Sequence, residues 1–570
     1  MSRISIKIVG AQGQGVNSVG EMCAKGLKRA GYCVFGEREY MSVIMNGHSS
    51  YQLEISNEKV RSTQEKVDVL VTFNHHGIKK DLKDIKENGI LIHQTPQWKF
   101  GEEDQKFIDV NSIKVIYLPT EDILKKLNAK PVLGNVLITS VVWSLIERSS
   151  DELKEMVRER FGHKKDLLAL NYLCIDEGVK FSGSGSEKVC LPEPDEKWKS
   201  QLLITGSQAM GLGAIHAGCR ALFGYPMTPA SPLLTFLAEI QGESKMLVKQ
   251  AEDEITAVQM MVGAMHAGTR AMTATSGGGY DLMTETISLC GISETPAVIV
   301  LAQRPGPGTG LPTWTAQGDL LMAVSAGHGE FPRAVMSVSD AEDSFSLMMD
   351  AFNFSEEFQI PVTVLTEKQI AESLFTTEIS DQKSVVRRGR LVEGDGLKLL
   401  RATDRYDPDA PDGVSARWLP GSDAPTYCAQ SYEHNADGSF DESAENAIAQ
   451  AKKRMKKMEG LKRALPEPEY FGSENTDVLI VSWGSNKNAI LDLIEDESVA
   501  YLHYTYLWPL KTERLVELAA KAKKTVLVEG NVQGQLGMLI KQECGLEFNE
   551  RVLKFDGRAT GLSNLNLSVL

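Results

Sequence analysis

Three glycines, Gly10, Gly13 and Gly15, stand in the run GAQGQGV, where an alternating apolar stretch from Ile4 to Val9 gives way to an amphipathic one from Asn17 to Arg29. Free backbone N–H groups at a helix start favour an anion, so the segment reads either as a phosphate cradle or as a tight strand-to-helix turn. The spacing is GxxGxG rather than the GxGxxG of dinucleotide sites, and no acidic residue closes a second strand to hold a ribose, which argues against nicotinamide. In GYPMTPASP, Gly224 to Pro232, prolines stiffen a loop that offers the hydroxyls of Thr228 and Ser231. Such a loop suits a carboxylate, or is a structural turn. Glu252, Asp253 and Glu254 then open an otherwise apolar helical run. Acids there complement the helix dipole, and a glutamate at the mouth of an apolar helix can also hydrogen-bond a heterocycle nitrogen. In ATSGGGYD, Ser276 and Gly277 begin a glycine turn from a strand into another helix. Arg304 follows the apolar run AVIVLAQ, at a strand end where ligands of open α/β sheets collect; its planar fork fits a carboxylate or a surface ion pair. His48 and His328 lie in glycine-flanked loops, where a lone histidine is more often a structural donor than a catalyst.

These residues need strands and helices to position them, and the pattern supplies several α/β segments. A chain of 570 residues is long enough for roughly three or four domains. Residues 1–161 read as a doubly wound α/β domain, with strands near Ile4, Tyr32, Tyr51, Val67 and Ile113. The apolar stretch from Pro131 to Ile146 reads as a buried helix rather than a membrane span. Residues 162–200, with FSGSGSEK, read as a linker that packs. A second α/β domain covers 201–375, and a third covers 476–570. Between them, 376–475 reads as an extended linker ending in a charged helix, Glu442 to Lys462. In that helix Ile448, Ala451, Met455 and Met458 form an apolar stripe, which places KKRMKK on a solvated face.

Composition narrows the partners. Lysine and arginine number 61 against 76 acids, a net charge of −15, which disfavours nucleic acid. The eight cysteines are scattered with no CxxC pair, so neither a structural zinc nor an iron–sulfur cluster is expected here. No signal-peptide pattern opens the sequence, and a cytoplasmic, non-membrane protein is expected.

The motifs GAQGQGV, EYMSVIMNGHSSYQ, GYPMTPASP, EDEITA, TATSGGG, QRPGPGTGLPT and VEGNVQGQL, in that order, are specific together. The chain resembles the alpha subunits of 2-oxoacid:ferredoxin oxidoreductases, most narrowly the 2-oxoglutarate type with a gamma domain fused ahead of the pyrimidine-binding domain. The resemblance implies three doubly wound units: a Rossmann-like gamma domain, a thiamine diphosphate pyrimidine-binding domain and a transketolase C-terminal-like domain. It implies oxidative decarboxylation of 2-oxoglutarate with coenzyme A to succinyl-CoA, CO2 and reduced ferredoxin, or the reverse carboxylation. By that likeness Glu254 hydrogen-bonds the aminopyrimidine ring of thiamine diphosphate and is the catalytic residue. Thr228 and Arg304 take the substrate carboxylate, and the loop from Gly306, with Thr309 and Thr313, shapes the rest of the pocket. Gly10, Gly13, Gly15 and His48 would meet coenzyme A, and Ser276 and Gly277 would line the cofactor.

The sole GDG, Gly394 to Gly396, lacks the later asparagine pair of a diphosphate and Mg2+ motif and reads as a turn. The resemblance therefore assigns Mg2+, the diphosphate end and a [4Fe–4S] cluster to a separate beta subunit, in a dimer of alpha–beta pairs. Glu529 and Asn531 are expected to be structural or at an interface. The sequence departs from the family in having Gly308 where serine is common and GAQGQG in place of GGQG. Pyruvate or a branched-chain 2-oxoacid is the alternative substrate, and a non-catalytic nucleotide-binding subunit the alternative class.

Overall fold

The computed structural model describes residues 3–43, 46–183, 188–379, 385–473, 476–494 and 498–561. Their contacts divide into two units, one built from residues up to Ile204 with 373–378 and Gly561, the other from 205–372 and 379–560. Three sheets with helices between their strands make the chain an α/β protein, as the patterns indicate.

The sheet of the first unit runs Lys114–Tyr117, Ile85–His93, Val67–Thr72, Arg3–Ala11, His48–Ser56, Cys33–Tyr40, Leu374–Thr377, Leu202–Thr205. The first four are parallel, whereas Arg3–Ala11 pairs antiparallel with His48–Ser56. From Arg3–Ala11 the chain first builds one side of the sheet and then returns to the other. The strand order thus reverses between Arg3–Ala11 and Val67–Thr72, which opens a crevice at their carboxyl ends. Val19, Leu27, Leu53, Leu137 and Trp143 form the core beneath the helices Val16–Arg29 and Gly134–Leu145.

The segment 162–200, expected as a linker that packs, holds a long helix. Lys165–Gly183 is an α-helix with Asn171, Cys174, Ile175 and Gly178 buried, and Ser140 Oγ donates to the Ile175 carbonyl at 2.7 Å. Gly178 allows close approach to Ser140. Residues 184–187 of FSGSGSEK lie outside the described residues.

The second unit holds a sheet of order Tyr506–Trp508, Ala334–Ser337, Pro361–Glu367, Ala297–Gln303, Ala271–Thr275, Ala221–Gly224, Leu247–Gln250. A further sheet runs Glu469–Phe471, Val499–Tyr504, Val478–Trp483, Lys524–Glu529, Glu550–Leu553. Segments 201–375 and 476–570, expected as separate domains, are not separable here. Tyr506–Trp508 crosses to pair antiparallel with Ala334–Ser337, and one hydrophobic core runs through both sheets.

The segment expected as an extended linker is pinned to this unit. Arg405, buried, donates to the carbonyls of Ser293 and Glu294, and Arg417 pairs with buried Glu356 at 2.9 Å. Its helix, Ala444–Ala464, faces the opposite way from the expectation. Gln450, Lys453, Arg454, Lys457 and Leu461 are buried, whereas Ile448 and Met455 are 56% and 42% exposed. Of the apolar stripe, Ala451 is also exposed and Met458 packs against the core. The reason is Glu294, fully buried just beyond the helix Gly277–Ser293: Lys453 and Lys457 both pair with its carboxylate. An unpaired buried carboxylate costs more than leaving two apolar side chains in water.

Candidate active site

In the second unit the acidic triplet divides its labour. Asp253 is extended and its side chain accepts from the Thr256 N–H at 2.7 Å, capping the helix Glu254–His266. With the cap supplied, Glu254 turns inward and is 4% exposed. Its Oε1 meets no hydrogen-bond donor among the described residues. An acceptor buried without a partner is costly, and a ligand N–H would satisfy it. The helix Gly277–Ser293 begins beside it. A Cβ at Gly279 would lie 2.1 Å from Thr275 Oγ1 and 2.8 Å from Glu254 Oε1, so a glycine is needed for the approach. The Ser276 hydroxyl at the helix N-cap is buried and also unpartnered. An orphaned carboxylate oxygen and hydroxyl at two adjoining helix starts fit the pyrimidine end of a thiamine cofactor, with Glu254 as its acceptor.

Arg304 and Thr228 are brought together: Arg304 Nη1 donates to the Thr228 carbonyl at 2.8 Å. Burial lowers the guanidinium's pKa, and the charge of Asp319 opposes that effect. The loop behind Arg304 is held at its far end. Thr315 Oγ1 and Gln317 Nε2 donate to the two carboxylate oxygens of Glu367, at 2.7 and 3.0 Å. Thr313 is buried within this loop, whereas Thr309 is exposed at its tip. Asp319, which the motif reading missed, follows directly. Its N–H donates to Gln303 Oε1 at 3.0 Å, and a Cβ at Gly277 would lie 3.0 Å from its Oδ2. The signal in the sequence was the acid of QGD, one loop downstream of Arg304.

The remaining candidates lie in the first unit. Gly13 and Gly15 have φ of 88° and 95°, and Gly15 caps the helix Val16–Arg29. A Cβ at Gly15 would overlap the Asn135 amide at 2.1 Å. Gln14 Oε1 accepts from the Ala11 N–H at 2.7 Å and from Asn74 Nδ2 at 2.8 Å, spanning the crevice where strand order reverses. Around the same strand ends Asn17 Oδ1, Thr72 Oγ1, His93 Nδ1 and Thr120 Oγ1 are buried without partners among the described residues. His48, read as a loop residue, starts the strand His48–Ser56, with Nε2 3.3 Å from Asp81 Oδ2. In the second unit, exposed His328 exchanges backbone hydrogen bonds with Ser288 Oγ. Buried Glu529 accepts from Trp483, Asn531 and the N–H groups of Leu536 and Gly537, which fixes the start of the helix Gln535–Cys544.

Known proteins share this fold. The family described as "Pyruvate flavodoxin/ferredoxin oxidoreductase, thiamine diP-bdg" matches residues 212–459, and "Pyruvate ferredoxin/flavodoxin oxidoreductase" matches 5–181. The 2-oxoacid:ferredoxin oxidoreductase subunit alpha of a Sulfolobus species is 31% identical, over 98% of this chain and 95% of its own length. The 2-oxoglutarate synthase subunit KorA of Methanocaldococcus jannaschii is 30% identical, over 60% of this chain and 91% of its own. A solved 2-oxoglutarate:ferredoxin oxidoreductase from Magnetococcus marinus, with 2-oxoglutarate, coenzyme A and succinyl-CoA bound, superposes with a TM-score of 0.91 at 27% identity, covering 100% of this chain and 99% of that one. With a buried, unpartnered glutamate at the start of a helix inside the thiamine-binding match, the chain belongs to the alpha subunits of the 2-oxoacid:ferredoxin oxidoreductases, enzymes that act on 2-oxoacids with ferredoxin.

Proposed function

We propose that the substrate is 2-oxoglutarate and that the products are succinyl-CoA, CO2 and reduced ferredoxin. The observation that carries the catalytic reading is the Glu254 carboxylate, buried with Oε1 unpartnered beside Gly279. Thiamine diphosphate, when bound, supplies the nucleophilic carbon and the electron sink for loss of CO2. Glu254 holds a proton at the pyrimidine nitrogen, and the dry surroundings strengthen that hydrogen bond. Arg304, oriented by the Thr228 carbonyl, takes the substrate carboxylate. The crevice of the first unit, with the Gly10–Gly15 turn, offers its unpaired Asn17, Thr72, His93 and Thr120 groups to coenzyme A. The choice of 2-oxoglutarate is supported by the ligands of the Magnetococcus marinus enzyme and by the KorA relatives.

The chain would act with a beta subunit carrying Mg2+, the diphosphate site and a [4Fe–4S] cluster, as a dimer of alpha–beta pairs in the cytoplasm. Its eight free thiols suit a reducing compartment. No helix among the described residues is long and apolar enough to cross a membrane. The test is CoA-dependent viologen reduction by the assembled complex with a panel of 2-oxoacids. A distal carboxylate left unpaired in the pocket is costly, so discrimination should be sharp. Turnover fastest with 2-oxoglutarate is expected; slower turnover than with pyruvate or 2-oxoisovalerate would overturn the choice.

A further inference from the structure

The loop that follows Arg304 is bound at both ends and bare at its tip. Arg304 holds one end through the Thr228 carbonyl, and Thr315 and Gln317 hold the other through the Glu367 carboxylate. Within the loop the Leu311 N–H donates to the Pro305 carbonyl at 2.9 Å and the Trp314 N–H to the Leu311 carbonyl at 3.1 Å, which folds it back on itself. Residues 306–311 are exposed, and a Cβ at Gly306 or Gly308 would meet nothing within 4 Å among the described residues. A tip so rich in glycine does not keep one shape unaided.

A distant segment lies against it. Beyond the strand Glu550–Leu553 the chain turns at Gly557, whose φ is 79°. The Gly557 carbonyl accepts from the Thr315 N–H at 3.1 Å. A Cβ at Gly557 would stand 3.1 Å from Leu311 Cδ1, 3.3 Å from Trp314 Cβ and 3.5 Å from Pro305 Cγ, so only glycine admits the loop this closely. The Arg558 guanidinium lies 3.4 Å from the centre of the Trp314 ring and makes no hydrogen bond or ion pair among the described residues. The turn is itself anchored. Asp556 Oδ1 accepts from the Arg558 N–H at 2.9 Å, Lys554 Nζ donates to the Arg558 carbonyl at 2.8 Å, and the buried Thr560 hydroxyl donates to Asn486 Oδ1 at 3.0 Å.

We infer that residues 556–558 are a strap on the substrate loop, and that Arg558 is a positioning residue for the 2-oxoacid, acting through Trp314. This rests on the reading that the loop from Gly306 to Thr313 shapes the pocket. A cation over an aromatic face is attracted without a carboxylate partner, and a planar guanidinium stacks there better than an ammonium. With Arg558 on Trp314 and Gly557 against Leu311 and Pro305, the loop keeps one shape. A short 2-oxoacid gripped at its carboxylate by Arg304 has little need of that shape. A longer one, whose far end reaches the loop, is oriented by it. The strap therefore sets the preference for longer acids.

The test is steady-state viologen reduction by the assembled enzyme. Arg558→Ala should raise KM for 2-oxoglutarate about three- to fivefold, the range of an exposed cation–π contact, with kcat and KM for CoA unchanged. The ratio of kcat/KM for 2-oxoglutarate to that for pyruvate should fall with it, and Arg558→Lys should restore part of the loss. Trp314→Ala should match Arg558→Ala, and the double variant should be no worse than either single one. Additive losses would show that Arg558 does not act through Trp314 and would overturn the inference. So would a lowered melting temperature with every KM unchanged, the mark of a merely structural strap. If Arg304→Lys and Arg558→Ala both leave KM unchanged for every 2-oxoacid, the loop is not the substrate site and the two readings fall together. If Arg304→Lys raises KM while Arg558→Ala does not, this inference alone is overturned.

Discussion

Glu254→Gln keeps the size of the side chain and removes its ability to hold an extra proton. Turnover of the assembled complex should fall by about 10²- to 10⁴-fold with assembly intact, measured by dye reduction beside gel filtration. Unchanged turnover would remove Glu254 from the mechanism. The sequence showed three acids at one helix start but not which of them turns inward. That depends on Asp253 taking the cap, a backbone property with no trace in composition. Arg304 and Thr228 were legible because both lie just beyond strand ends beside stiff prolines, and their meeting needed only loops that leave the same edge of one sheet, across the strand Ala271–Thr275. Asp319 was illegible for the opposite reason. Its place is set by Gly277 and Gln303, which are distant in sequence, and a lone acid after a loop carries no pattern of its own.

The charged helix Ala444–Ala464 shows where periodicity misleads. Two stripes compete on it, one of small and sulfur-containing apolar residues and one of long cationic residues, and hydropathy alone prefers the first. What decides is a carboxylate elsewhere in the chain: Glu294 needs Lys453 and Lys457, and both are drawn in with their aliphatic stems packed. Burial would raise the Glu294 carboxyl, but Lys453, Lys457 and Arg405 overcome that and hold it well below the usual range. It therefore stays ionised in the folded protein, and the stability that this depressed carboxyl contributes is present at neutral pH and lost only in acid. Glu294→Gln leaves two buried ammonium groups without their anion. It should destabilise the protein by about 3–5 kcal/mol in chemical denaturation at pH 7. A change under about 1 kcal/mol would mean that water or a rearranged side chain already neutralises the lysines.

For the molecule as a whole, the α/β class and the places of most strands were readable, because buried parallel strands leave unbroken runs of valine, isoleucine and leucine. The grouping of those strands was not. A domain boundary is a statement about long-range contacts, and both misread boundaries turn on a short strand that joins a distant sheet. Tyr506–Trp508 is one; Leu374–Thr377 is the other. It pairs antiparallel with Cys33–Tyr40, while the Thr376 hydroxyl accepts from the Val34 N–H at 2.9 Å and donates to the Val34 carbonyl at 2.8 Å. A fragment ending at residue 204 should therefore self-associate through the bared strand Cys33–Tyr40, as light scattering would detect; a monodisperse, cooperatively melting fragment would refute this. The same strand sets a timetable for the ribosome. The first unit's sheet remains open at Cys33–Tyr40 until residue 377 has emerged, so the nascent chain carries an unfinished edge through the synthesis of everything between the two strands.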